Sequence, residues 1–216
     1  MNTIKSFVHK WVWLMLIFFC IAGLIYPKVG IAAVICMLAP VAVSIFSGRM
    51  WCGNFCPRGS FNDILISKIS RNRKIPRLMK NKWFRLLFVV VLMGAFAVQL
   101  SFAWGNIVQV GQVFVRMILI TTGLSIILGA IYSHRAWCVI CPMGTMASWV
   151  TQAGIGSKGK NVTFDKQRCV SCKLCIKSCP MEIDVLNFKS KGEVTHPDCL
   201  KCGECVIKCP KDALEI

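Results

Sequence analysis

The chain has 216 residues, 56% hydrophobic and only 16% charged, with a mean hydropathy of +0.61 and a net charge of +17. That apolarity excludes an ordinary soluble domain and points to a membrane protein. Residues 1–155 hold fifteen Lys and Arg against a single acid, Asp63; the excess reads as membrane topology and lipid contact, and no nucleic-acid-binding motif accompanies it.

Four apolar segments follow one another: Trp11 to Tyr26, Val29 to Phe46, Leu86 to Trp104 and Val113 to Tyr132. Each approaches the ~20 residues, or ~30 Å, that a spanning helix needs. The first lacks a small-residue cleavage site and is expected to be retained. Only Arg116 interrupts the runs, near an end where it can snorkel. Cys20 and Cys36 fall halfway along their segments and read as packing residues, Pro40 as a kink, and Trp104 as an interface anchor.

Between the second and third segments lie Arg49, Arg58, Lys68, Arg71, Arg73, Lys74, Arg77, Lys80, Lys82 and Arg85. The positive-inside rule places this connection in the cytoplasm of a bacterial or archaeal membrane. An even number of spans then returns the C-terminus to the same side, so both termini are expected to be cytoplasmic. Within the connection, Lys68 to Arg85 interleaves bases with Ile69, Ile75, Leu78, Met79, Trp83 and Phe84. Such a segment suits anionic headgroups, and it could also dock an acidic electron carrier.

The ends of segments two and four repeat one another. Ser47-Gly-Arg49-Met-Trp51-Cys52-Gly-Asn-Phe-Cys56-Pro57-Arg-Gly59-Ser60 aligns with Ser133-His-Arg135-Ala-Trp137-Cys138-Val-Ile-Cys141-Pro142-Met-Gly144-Thr145, one residue shorter between its cysteines. The membrane part thus reads as two copies of a helix hairpin with a Cys-Cys-Pro element, residues 10–60 and 84–145. Three readings compete for Cys52, Cys56, Cys138 and Cys141: a further Fe-S or metal centre, a redox-active dithiol, or small residues at tight turns.

A glycine-bearing stretch, Ala153 to Lys160, reads as a linker and lacks the spacing of a P-loop. Beyond it, Cys169-Val-Ser-Cys172-Lys-Leu-Cys175-Ile-Lys-Ser-Cys179-Pro180 recurs as Cys199-Leu-Lys-Cys202-Gly-Glu-Cys205-Val-Ile-Lys-Cys209-Pro210. Both runs resemble the C-x2-C-x2-C-x3-C-P pattern of bacterial ferredoxins, in which the fourth cysteine serves the other cluster. The resemblance implies two [4Fe-4S] clusters, one on Cys169, Cys172, Cys175 and Cys209, the other on Cys199, Cys202, Cys205 and Cys179. Zinc is the competing reading, although structural zinc sites favour separated C-x2-C pairs. Ligand spacing rather than disulfide spacing also implies a reducing compartment.

The expected fold is therefore four transmembrane helices in two repeated hairpin units followed by a cytoplasmic α+β 2[4Fe-4S] ferredoxin-like domain. Its boundaries are a membrane domain at 1–152, a linker at 153–162 and the ferredoxin part at 163–216. No haem is expected, since His9 and His134 sit at segment ends, His196 lies near the second cysteine run, and Cys-x-x-Cys-His is absent. The four helices, the paired Cys-Cys-Pro elements and the terminal double motif together resemble the NapH-type family, whose relatives include the membrane parts of NosR, CcoG-like proteins and ferredoxin-type quinol dehydrogenase subunits. That resemblance covers nearly the whole chain. It implies an electron-transfer subunit of a membrane oxidoreductase complex, working between the quinone pool and redox protein subunits. The alternative is an accessory or maturation protein that uses Cys52, Cys56, Cys138 and Cys141 to reduce a partner or deliver metal to it.

Overall fold

In hydrocarbon every backbone polar group must be satisfied within its own segment, so long apolar runs fold as helices. The computed structural model describes residues 3–154 and 161–216. Among these are four helices long and apolar enough to cross a membrane: Phe7–Ile25, Pro27–Ser47, Lys82–Phe102 and Ile107–Ile131. The expected linker at 153–162 lies largely outside the described residues.

The first span joins α1 (Thr3–Trp11) to α2 (Trp13–Ile25). The second opens as a 3-10 turn, Pro27–Ala32, with proline at its start, and continues as α3 (Ala33–Ser47) through a buried Pro40. Gly48 stops it at φ +58, a conformation that suits a residue without Cβ. Asparagine side chains cap the other two spans: Asn81 begins α8 (Lys82–Phe102), and Asn106 begins α9 (Ile107–Ile131). Outward-facing Phe18, Leu24, Leu38, Val91, Phe102 and Ile120 give the bundle the apolar surface that lipid requires.

Between the spans the chain folds into short pieces. After the second come α4 (Met50–Asn54), α5 (Pro57–Phe61), a π turn at Asn62–Ile66, α6 (Ser67–Ile69) and α7 (Arg77–Lys80). After the fourth come α10 (Ala136–Ile140) and α11 (Pro142–Gln152). Both Cys-Cys-Pro elements take one form. A five-residue helix holds the first cysteine, the second cysteine is the N-cap of the next helix, and proline fills the first helical position, where its missing N–H costs nothing.

The basic connection is not all headgroup surface. Ile75 and Met79 turn inward, Arg85 is buried, and Lys80 ion-pairs with Glu182 at 2.7 Å. Ile69, Leu78 and Trp83 stay exposed. Part of the segment expected to lie along lipid instead receives the C-terminal part of the chain.

That C-terminal part is a small α+β unit. Strands β1 (Val162–Phe164), β2 (Glu193–Val194) and β3 (Leu214–Glu215) form an antiparallel sheet in the order β2-β1-β3. The register pairs Val162 with Val194 and Phe164 with Leu214, and alternation turns these four side chains inward. Helices α12 (Leu174–Lys177) and α13 (Glu204–Ile207) sit at matching places in the two cysteine runs.

Candidate iron–sulfur sites

The two cysteine runs repeat down to the backbone. Ser171 and Lys173 in the first, and Lys201 and Gly203 in the second, all have positive φ, as do Glu182 and Asp212 after each Cys-Pro. Every member of one run is thirty residues from its counterpart. Left-handed residues between cysteines curl each loop, and the first three cysteines of each run line one cavity. The fourth comes from the other run in both cases. One cavity is lined by Cys169, Cys172, Cys175 and Cys209, with Phe164, Val170, Leu174 and Leu186. A second is lined by Cys179, Cys199, Cys202 and Cys205, with Met181, Ile183, Val185 and Leu200.

Both cavities suit an anionic, sulfur-bound group. The Ile183 N–H donates to the Cys179 sulfur and the Ala213 N–H to the Cys209 sulfur, each at 3.4 Å. Burial, reinforced by neighbouring thiols, pushes Cys202 and Cys205 up to about 12. A bound cationic centre would favour their thiolate form. No three His, Cys, Asp or Glu side chains among the described residues converge as a single metal ion would need. The four-cysteine sets surround space instead, which fits a cubane with an iron at each corner better than one zinc ion.

A third cavity, of about 300 Å³, brings Cys52, Cys56, Cys138 and Cys141 together at the rim of the bundle. Apolar side chains of the first two spans, Met15, Leu16, Phe19, Met37 and Pro40, form part of its wall, and Arg49, Arg58 and Trp137 line it as well. Two arginines from the repeat brace it crosswise. Arg49 donates to the carbonyl of Cys138 at 2.6 Å, and Arg135 donates to the carbonyl of Cys52 at 2.9 Å and to the Cys138 sulfur at 3.5 Å. Each is 1% exposed. The repeated glycines make room: a Cβ on Gly59 would stand 2.7 Å from Arg135, and one on Gly144 2.5 Å from Arg49.

Buried arginines demand counter-charge. Arg135 is held by Asp63, whose other contacts are His9 at 2.9 Å and His134 at 3.5 Å. Burial alone would raise the Asp63 carboxyl, yet Arg135 and His9 keep it well below the ordinary range. Arg49 is held by Asp198 at 2.7 Å, and Arg85 grips the same carboxylate with two nitrogens at 2.9 and 3.0 Å. Three buried guanidinium groups thus share two carboxylates, which leaves positive charge beside the four cysteines. Arg49 Nε, Arg58 Nε and Trp137 Nε1, all on residues lining this cavity, have no hydrogen-bond partner among the described residues. A donor-rich, cationic cysteine cavity fits an anionic sulfide cluster. Burial also raises Cys52 and takes Cys56 to about 12, opposite to the shift a nucleophilic dithiol needs.

Rim and C-terminal part meet at Gly53. A Cβ there would lie 2.2 Å from the carbonyl oxygen of Leu200, so only glycine lets the two backbones touch. Cys179, Cys199 and Cys202 pack on the same apolar cluster as Cys52 and Cys138. The second cysteine set therefore faces the membrane rim, and the first lies against the core of the small sheet.

Comparison with known proteins agrees with this division. The family described as 4Fe-4S binding domain matches residues 29–76 and again 115–161, one match over each Cys-Cys-Pro element. The 4Fe-4S dicluster domain matches residues 161–210. Ferredoxin-type protein NapH of Escherichia coli is 28% identical over 198 residues, 83% of this chain and 66% of its own length. NapH is thus among the homologues of this chain. The chain is an iron–sulfur electron-transfer protein with four helices long and apolar enough to cross a membrane. Escherichia coli YccM, named for electron transport, is 25% identical over 85% of the chain and 55% of its own length. The uncharacterized protein MJ0749 of Methanocaldococcus jannaschii is 26% identical over 85% of the chain and 70% of its own length. No solved structure matches the chain.

The residues to which the sequence assigned no site role are Arg49, Arg135, Asp63 and Asp198. A signal for three of them was present. Both arginines recur at one place in the membrane repeat, and Asp63 is the single acid among fifteen bases. Asp198 carries none, since a carboxylate beside a cysteine of the repeat is unremarkable until the fold sets it between two arginines.

Proposed function

We propose that the chain is a membrane-bound subunit that passes electrons between the quinone pool and a partner redox protein. Cys169, Cys172, Cys175 and Cys209 hold one [4Fe-4S] cluster, Cys179, Cys199, Cys202 and Cys205 hold a second, and Cys52, Cys56, Cys138 and Cys141 hold a further Fe-S centre at the rim. When bound, these groups supply one-electron carriers. The observation that carries the reading is the contact of Gly53 with Leu200, because it brings the backbone of the rim element against that of the second cysteine loop.

The residues divide the remaining work. Arg49 and Arg135 offset the charge of the rim centre and hold the two cysteine elements against one another. Met15, Leu16, Phe19, Met37 and Pro40 give a quinone an apolar approach between the first two spans, with the rim cysteines on the same cavity. By helix rise, Pro40 lies ~10 Å inside the end of its span. The basic connection supports a cytoplasmic rim, with both termini and the ferredoxin part on that side. The double match to the 4Fe-4S binding domain supports two repeated membrane units.

Iron quantification with EPR on the full chain tests the assignment. Replacing Cys138 and Cys141 together by serine is expected to lower iron per chain by about a third, as loss of one of three cubanes would, and to abolish cluster reduction by quinol. A variant that kept all its iron and its quinol-linked reduction would rule out a rim centre. Reporter fusions at both ends and at residue 105 check the orientation.

A further inference from the structure

The thirty-residue offset gives each residue of one cluster loop a counterpart in the other, and the two loops meet opposite surroundings. Leu200 is 2% exposed and Lys201 7%, both covered where the second loop docks on the membrane rim. Their counterparts are bare: Val170 is 61% exposed, and Ser171, Cys172, Lys173 and Leu174 are all on the surface. A loop whose twin is an interface thus presents two apolar side chains and an exposed thiol to solvent.

Its border is cationic. Lys166, Arg168, Lys173 and Lys211 are exposed around the first cysteine set, and Lys189 donates to the Cys169 carbonyl at 2.9 Å. Arg168 and Asp165 pair with each other at 3.2 Å, so the positive excess of this border comes from Lys166, Lys173 and Lys211, with Asp212 beside Lys211 in sequence. An apolar centre within a charged border has the make-up of a transient protein interface, and a border of one sign selects a partner of the other. The bilayer is a poor occupant, because this unit already turns its other loop to the membrane rim.

We infer that the loop Val170 to Leu174, bordered by Lys166, Arg168, Lys173 and Lys211, is the docking face for an acidic redox protein. It receives that protein as the membrane rim receives Leu200. The inference rests on the electron-transfer reading above and adds to it the place and the charge of the partner.

The test uses the full chain with its clusters, in nanodiscs of zwitterionic lipid, and a recombinant flavodoxin as the acidic redox probe. Carbodiimide joins lysines to carboxylates in contact, so mapped crosslinks are expected at Lys173 and Lys211. Affinity read by interferometry should fall about tenfold in a Lys173→Glu, Lys211→Glu variant and in Val170→Glu, and it should weaken with salt. A Lys74→Glu, Arg77→Glu variant of the basic connection should bind as wild type. Crosslinks or affinity loss centred on the connection, no binding by wild type, or binding indifferent to salt would each overturn the inference. EPR on the same samples separates the two levels: clusters present without docking sink this inference alone, whereas absent clusters sink the reading beneath it as well.

Discussion

The two cysteine repeats differ in how well they keep their symmetry. In the ferredoxin part every cysteine, both short helices and three pairs of positive-φ residues recur at one spacing. At the membrane rim Arg, Trp and the first cysteine recur together, but the first copy carries one more residue between its cysteines. That copy uses Gly53 to meet Leu200 and Asn54 to donate to the Lys201 carbonyl at 3.3 Å, whereas Val139 and Ile140 of the second copy are buried in the core. The rim repeat therefore breaks where it touches the ferredoxin part. The symmetric remainder builds cysteine sites, and the departures build the joint between them.

Cutting the joint at its charged centre should have the largest effect. Asp198→Asn leaves Arg49 and Arg85 buried without their shared carboxylate, and breaking a buried pair in this way costs about 3–5 kcal/mol. Hydrogen exchange should report opening at residues 50–54 and 198–203, with iron content kept. If those amides stayed protected, the joint would not depend on this carboxylate. Burial tends to raise the Asp198 carboxyl, but Arg49 and Arg85 pull it down to about 2. Its stabilisation is therefore whole above the unfolded value near 3.8 and lost as pH falls toward 2, so protection of the joint should not change between pH 5 and 8.

Gly53→Ala should come next. Its Cβ would meet backbone rather than a yielding side chain, so the two parts must separate slightly, at about 1–3 kcal/mol by the usual cost of overpacking. Gly94→Ala is the matched control, since nothing lies within 4 Å of that Cβ and alanine favours the helix. Equal thermal stability of the two variants would mean that the Leu200 contact does not constrain the joint. Slower electron exchange between rim and ferredoxin part in Gly53→Ala alone would tie that contact to the proposed route.

Much of this was legible before any coordinates. Apolar length located the four spans, with ends displaced by a few residues because proline, asparagine and glycine caps rather than hydropathy set where helices begin and stop. The cysteine spacing placed each set of four beside one cavity, since a tight loop leaves its thiols few directions. The joint was hidden. Arg49, Arg85, Lys80 and Ile75 look like ordinary members of a basic juxtamembrane segment, and their inward roles depend on Asp198 and Glu182, more than a hundred residues away. Charge counting assigns such residues to lipid by default, and only tertiary contact reassigns them.

The smallest effects belong to the edge of the joint, where the comparison can be sharpened most cheaply. Glu182 accepts from Lys80 Nζ at 2.7 Å and from the backbone N–H of buried Ile75 at 3.0 Å. Lys80→Ala removes only a partly exposed ion pair, expected to matter by about 0–1 kcal/mol and not at all in high salt. Glu182→Ala also orphans a buried donor and should cost about 1–3 kcal/mol. Asp212 is the counterpart of Glu182, with the same left-handed backbone, but it is exposed. Asp212→Ala should therefore change stability by less than about 0.5 kcal/mol, the usual range for a surface site. Thermal melts of the three variants at low and high salt decide the order. If Asp212→Ala proved as costly as Glu182→Ala, the position would matter for the loop itself, and the asymmetry of the repeat would no longer be explained by docking.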